Sequence, residues 1–278
     1  MLIGVLFALA AGLMWGLIFV GPLIVPDYSA ALQSTGRYLA FGLIALPLAW
    51  LDRRRLRQLT RSDWLEATKL TIIGNLLYYF LLASAIQRTG APISTMIFDV
   101  WRYASGIAMA FLAVVCWTWY PLRNARWLRD HKGNTPTTWA TAQGLVTLPL
   151  ALLGYLLVCG HLALTDSTFT QPFGPRPEVF IPLMLAIGLF CSWIGTLFWN
   201  EASQRLPTVL VGPLIVFETL AGLTYAFIIR QSWPPLLTLC GITCLIVGVI
   251  YAMRVKPEPV VVKKSTVVEV PMPVSRPE

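Results

Sequence analysis

The sequence predicts an all-α polytopic membrane protein, and three observations predict it. First, 56% of the 278 residues are hydrophobic and only 12% are charged, with a mean hydropathy of +0.68. A chain so apolar has too little polar surface to hide its side chains in a water-soluble core of ordinary surface-to-volume ratio. Second, the apolar residues come in runs of about twenty, the length a helix needs to cross a hydrocarbon core about 30 Å thick. Third, most Lys and Arg residues lie in short stretches between those runs. The formal charge of +8 therefore speaks of membrane topology, and nucleic acid is not an expected partner. The expected partners are the lipid bilayer and a small-molecule solute; a homodimer stays open, and no cofactor is expected.

About eight spans follow in order. The first covers about 2–20; it has no basic segment before it and is long for a signal peptide, so it reads as a retained helix. The second, about 30–50, ends in Asp52-Arg53-Arg54-Arg55-Leu56-Arg57, and the third covers about 64–86. Residues 87–103 are a mixed segment containing Arg88, Pro92, Asp99 and Arg102. The fourth span, about 104–120, is followed by Arg123, Arg126, Arg129 and Lys132. The rest cover about 138–159, 179–199, 209–229 and 235–253. A Pro/Lys/Val/Glu tail over 255–278 is expected to be disordered and cytoplasmic.

With the N-terminus inside, alternate loops carry fifteen Lys and Arg residues on the inner side and four, Arg88, Arg102, Arg176 and Arg230, on the outer. Cytoplasmic loops are the ones enriched in these residues, so both termini are expected to be cytoplasmic.

The chain also repeats itself. Gly4, Ala8, Ala11 and Trp15 recur 102 residues later as Gly106, Ala110, Ala113 and Trp117, and Gly42 to Ala49 recurs at the same offset as Gly144 to Ala151. Gln87-Arg88 recurs as Gln204-Arg205 at an offset of 117, the second copy carrying a longer loop near 160–178. Three spans precede the second copy, so the copies cross in opposite senses, the inverted repeat common in secondary transporters. The expected units are a truncated first repeat of three helices over 1–97 and a second repeat of five over 104–254.

The repeated Gly, Ala and Trp helices, the Gln-Arg exits and the Gly212-Pro213 entry together resemble the EamA-type branch of the drug/metabolite transporter superfamily. The resemblance implies ten helices arranged as five plus five, and a small-molecule exporter of the bacterial inner (cytoplasmic) membrane. This chain departs from the pattern after Thr95-Met96-Ile97, where it passes to Phe98-Asp99 instead of completing a fourth helix and returning as a fifth. Losing a pair preserves the direction of everything downstream. The alternative to a transporter is a shortened scaffold, or a subunit of a larger assembly, that folds and moves nothing.

Six residues inside the spans are candidates for a substrate cavity. Trp15 and Trp117 hold equivalent mid-span positions, as aromatic walls or as packing. Arg37 either faces a cavity or snorkels to the interface, because a cation near the bilayer centre costs at least about 2.5 kcal/mol. Glu218 is too far from either end of its span to snorkel; it is the candidate for coupling to a proton, or else makes a helix-to-helix hydrogen bond to a Thr or Asn. Asn75 and Tyr78 could offer amide and phenol groups to a solute, or hold helices together. Trp64, Trp119, Trp127 and Trp233 read as interfacial anchors, Asn200-Glu201 and Arg205 as a solvated cap, and Gly212-Pro213 as a helix break or an ordinary first turn.

Cys116, Cys159, Cys191, Cys240 and Cys244 lie in or beside apolar runs, away from His131 and His161, and read as packing residues with no metal or redox role. No catalytic constellation or phosphate loop is present, so neither an enzyme nor an ATP-driven pump is expected.

Overall fold

Helices account for every long element of the computed structural model, which describes residues 1–89, 100–131, 133–167, 169–231, 233–234 and 236–254. Helix α1 spans Leu2–Gly16 and continues through a 3-10 turn, Leu17–Phe19, into the short α2, Gly21–Ile24, with Pro22 in its first turn, where no donor is lost. The expected link after residue 20 is thus helical. Helix α3, Ala30–Leu51, starts under a Ser29 cap whose hydroxyl accepts from Leu32 N at 3.2 Å. Helix α4 is the single turn Arg53–Leu56, and α5, Arg61–Leu70, opens on a Thr60–Asp63 capping box. A π-helical segment, Thr71–Leu77, joins α5 to α6, Tyr78–Thr89.

Helix α7 runs Val100–Asp130 and α8 runs Pro136–Thr165. Helix α9, Pro177–Ile187, passes through a second π-helical segment, Gly188–Ile194, into α10, Gly195–Arg205. The last two are α11, Thr208–Arg230, and α12, Leu236–Arg254. Among the described residues, six stretches are long and apolar enough to cross a membrane, against the eight expected. Helices α3, with its Gln33 and Arg37, and α12 stand where the other two were expected and are not among the six. The expected start of a span at 91–97, its stop at Phe98-Asp99 and the tail 255–278 lie outside the described residues.

Helix α7 does not end near residue 120 as expected. It continues for nearly three further turns, held there by two contacts to α5: Arg123 pairs through two bonds with Glu66, and Trp127 Nε1 donates to Asp63 Oδ1 at 3.1 Å. Trp127 is therefore no interfacial anchor. It is buried, with its ring centroid 3.4 Å from that of Trp139 and 4.5 Å from that of His131. Trp233, 93% exposed, keeps the anchor reading.

Small residues set how the helices meet. Gly4, Ala8, Gly12 and Gly16 are buried along α1. A Cβ on Gly12 would lie 3.2 Å from Glu218 N, and one on Gly16 would lie 2.9 Å from Gly222 N, so α1 and α11 run parallel with their backbones nearly touching. Helices α3 and α8 pack antiparallel: a Cβ on Gly42 would meet Leu148, and one on Gly144 would meet Ala45. The same equivalence holds for two other pairs. Gly4 lies against Arg205, the last residue of α10, and Leu206 just after it, while Gly106 lies against Arg88 and Thr89 of α6.

The loops divide between two ends. Thr138 Oγ1 donates to Asp52 Oδ2 at 2.5 Å and Asn200 Nδ2 to Pro136 O at 3.3 Å, gathering the 52–63, 123–138 and 200–206 segments at one arginine-rich end. At the opposite end, Tyr28 OH donates to Phe173 O at 2.9 Å and accepts from Arg176 N at 2.9 Å. Gln87 Nε2 donates to Tyr28 O at 2.7 Å. Arg176 pairs there with Asp27, and its guanidinium holds the Asp27 carboxyl below the usual carboxylate range.

Candidate functional site

The interior midway between these ends is aromatic and charged. Trp15 Nε1 donates to Cys191 O at 2.9 Å, in the second π-helical segment, and its ring meets Trp117 edge-on at 4.8 Å between centroids. The two tryptophans that match across the internal repeat thus touch each other. Trp117 stacks on Tyr78 at 4.5 Å and on Tyr120 at 5.7 Å. Its Nε1 donates to Glu218 Oε2 at 2.9 Å, an interhelical bond from α7 to α11 made to an indole and not to a Thr or Asn.

Glu218 is 3% exposed; Trp117 and the Tyr78 hydroxyl reach its carboxyl, and its Oε1 makes no hydrogen bond of ordinary geometry among the described residues. A carboxyl oxygen left unpaired in an apolar interior is costly.

Arg37 is 4% exposed, so it does not snorkel. Its Nε donates to Ser192 Oγ at 2.9 Å, its guanidinium lies over the Tyr79 and Tyr38 rings at 4.5 and 4.7 Å, and its Nη1 has no protein partner among the described residues. The rings supply cation–π attraction to the buried guanidinium. Tyr38, Tyr78 and Cys191 are each within electrostatic reach of both Arg37 and Glu218. A guanidinium and a carboxyl, each with one polar atom unused among the described residues, are therefore buried in one interior.

Asn75 is 8% exposed and sits in the first π-helical segment. Thr71–Leu77 and Gly188–Ile194 lie 117 residues apart, the offset of the Gln-Arg exits, so Asn75 is the counterpart of Ser192. A π-helical stretch widens the turn and occurs often at functional sites. Both segments border this cluster.

Sequence reasoning missed a polar network on the side toward the arginine-rich end. Asn124 Oδ1 accepts from Trp139 Nε1 at 2.8 Å and from Gln143 Nε2 at 3.1 Å, and its Nδ2 donates to Asn200 Oδ1 at 2.7 Å. Tyr120 OH donates to Gln143 Oε1 at 3.0 Å. Asn200 is 0% exposed, so it is no solvated cap; Glu201 and Arg205 pair with each other at the helix end instead. Gln143 and Asn200 could have been found as amides inside apolar runs. Asn124 was hidden between Arg123 and Arg126. A further polar pocket of about 340 Å³ at the same end is lined by Asp63, Glu66, Arg123, Arg126, Asp130 and His131. No metal-holding group of His, Cys, Asp or Glu exists among the described residues.

The comparisons with known proteins bear on this arrangement. The model of the EamA-like transporter family matches residues 2–101. The inner membrane protein YtfF of Escherichia coli (strain K12) is 56% identical over 311 aligned positions, covering 93% of this chain and 97% of that protein. The chain belongs to the EamA-like transporter family. The aligned length of 311 exceeds the 278 residues present, so this EamA member lacks segments that its relative carries. The expectation of a shortened chain is met. A crystal structure of a protein 17% identical shares the fold at a TM-score of 0.59, covering 90% of this chain and 97% of that one.

Proposed function

We propose that this EamA member is a secondary carrier that exports a small, amino-acid-like solute across the bacterial inner membrane, both its termini being cytoplasmic. The observation that carries the reading is that Arg37 and Glu218 are both buried with a polar atom unused among the described residues, Arg37 over the Tyr38 and Tyr79 rings and Glu218 on Trp117, which stacks on Tyr78 and meets Trp15. A guanidinium suits a carboxylate and a carboxyl suits an ammonium, so the two suit the ends of a zwitterion. Asn75 and Ser192 add neutral hydrogen-bonding groups from equivalent turns. Glu218 is the coupling group: empty, it takes a proton; loaded, it trades that proton for the solute.

Two inverted repeats, 1–97 and 104–254, give the mechanical basis. In support, the first helix of each repeat lies against the third helix of the other, α1 on α10 and α7 on α6, and the second helices α3 and α8 pair with each other. Such an interleaved pair can tilt open toward either end by related motions.

The test is flux of radiolabelled amino acids into liposomes holding the purified protein under a pH gradient. Arg37→Gln and Glu218→Gln should each lower flux at least about tenfold, the worth of one charged hydrogen bond. Glu218→Gln should also erase the dependence on the gradient; unchanged pH dependence would remove Glu218 from the coupling role. The shorter length relative to YtfF favours a second reading, a scaffold without transport. Flux that is absent from this chain but appears once the missing segments are restored would decide for the scaffold.

A further inference from the structure

The internal repeat allows the two halves of the interior to be compared position by position. On α10, Thr196, Asn200 and Ser203 recur at helical spacing from the Arg37–Glu218 cluster to the arginine-rich end, and all three are buried. Facing them, Tyr120 reaches both Thr196 and Gln143, Gln143 reaches Asn124, and Asn124 reaches Asn200. Hydrogen-bonding groups are thus continuous from Trp117, which stacks on Tyr120, to the last turn of α10.

The other half has the same backbone plan and different chemistry. At the offset of 117, Asn200 and Ser203 correspond to Ala83 and Ile86 of α6; at the offset of 102, Tyr120, Asn124 and Gln143 correspond to Ile18, Pro22 and Phe41. At these five positions that half carries apolar side chains, although Thr196 corresponds to Tyr79 and the same half buries Gln33, Ser34 and Ser84 elsewhere. Burying polar groups is costly unless each is bonded, and here two on α10 are not: Ser203 Oγ and Trp199 Nε1 have no protein partner among the described residues, at 1% exposure each.

We propose that this polar face of α10 with Asn124 and Gln143 is a second solute station. It takes the neutral hydrogen-bonding groups of the solute, hydroxyl or amide, on the part of the route that opens to the arginine-rich end. The Asn124–Asn200 bond closes that route in the present structure and must part for it to open. This rests on the carrier reading above and adds a place to it: a neutral polar station between the central cluster and the arginine-rich end.

The experiment uses single cysteines, Ser203→Cys and Asn200→Cys, with Ile86→Cys and Ala83→Cys as their respective counterparts, in full-length protein whose native cysteines are alanine. The charged, membrane-impermeant reagent 2-sulfonatoethyl methanethiosulfonate is added to inside-out or right-side-out vesicles. Ser203→Cys should react at least tenfold faster than Ile86→Cys, and only when the reagent reaches the arginine-rich face. Reaction of Ser203→Cys no faster than Ile86→Cys from either face would overturn the station and leave the network as a helix-packing device. Should Asn200→Cys fail to assemble, Ser203→Cys decides alone, since its oxygen has no bond to lose. Labelling reads water access and not flux, so a chain without flux would end the carrier reading and leave this result to stand or fall separately.

Discussion

Asn124 ties three helices with one amide. Its oxygen accepts from Trp139 and Gln143 of α8 and its nitrogen donates to Asn200 of α10. Truncation to alanine strands all three partners in an interior where Asn124 itself is 0% exposed. An orphaned buried group costs about 1–3 kcal/mol in water-soluble proteins, while bonds between membrane helices average nearer 0.6 kcal/mol, so the sum for Asn124→Ala is about 2 kcal/mol. Asn200→Ala strands fewer groups and should cost about half as much. Thermal unfolding of the two variants in detergent checks the order, and equal midpoints would show that the amide is not the hub its bonds describe. Arg37 gives the contrasting case. Among the described residues its charge is held by two rings and one hydroxyl and not by a carboxylate.

At the scale of elements, the two π-helical segments decide which side chains meet at the centre. Gly74, in the first, lies directly beneath the Tyr120 ring: a Cβ there would sit 2.2 Å from Tyr120 Cδ2. That ring is fixed by stacking on Trp117 and by its hydroxyl bond to Gln143, so it has nowhere to yield. Gly74→Ala should therefore destabilise by the roughly 1–3 kcal/mol of an overpacked core. Gly160→Ala in α8, where a Cβ meets nothing within 4 Å, should instead be neutral or stabilising by up to about 1 kcal/mol. A pair of melting curves separates the two outcomes. The elements themselves were largely legible in the sequence, because apolar runs of span length have no other stable home than lipid. The extension of α7 to Asp130 was not, since Arg123 and Trp127 look solvated until Glu66 and Asp63 of α5 are seen beside them. The π-helical segments were equally hidden: an inserted residue widens a turn without changing which residue types are apolar. Of the six candidate site residues, Trp15, Tyr78, Trp117 and Glu218 form one contact chain or share one bond, and Arg37 joins them only through electrostatic reach.

For the whole molecule, the distribution of arginine fixes which loops must share a face of the membrane. The contacts Asp52 to Thr138, Glu66 to Arg123 and Asn200 to Pro136 place the 52–63, 123–138 and 200–206 segments together, and Asp27, Arg176 and Gln87 gather at the other end. Translocating one arginine through the bilayer centre is costly, and the first group carries Arg53, Arg54, Arg55, Arg57, Arg61, Arg126 and Arg129 besides Arg123. A shortening by an even number of crossings would leave this arrangement intact, because it does not change which side any later loop reaches. Arg54→Cys and Arg126→Cys, both exposed in the structure, should therefore react with an impermeant thiol reagent from the same face, and Ser167→Cys from the other. The first two should be cytoplasmic, since loops rich in arginine stay on that side. Reaction of Arg54→Cys and Arg126→Cys from opposite faces would break the helix order on which α3 and α8 pair, and with it the enclosed interior where Arg37 and Glu218 meet.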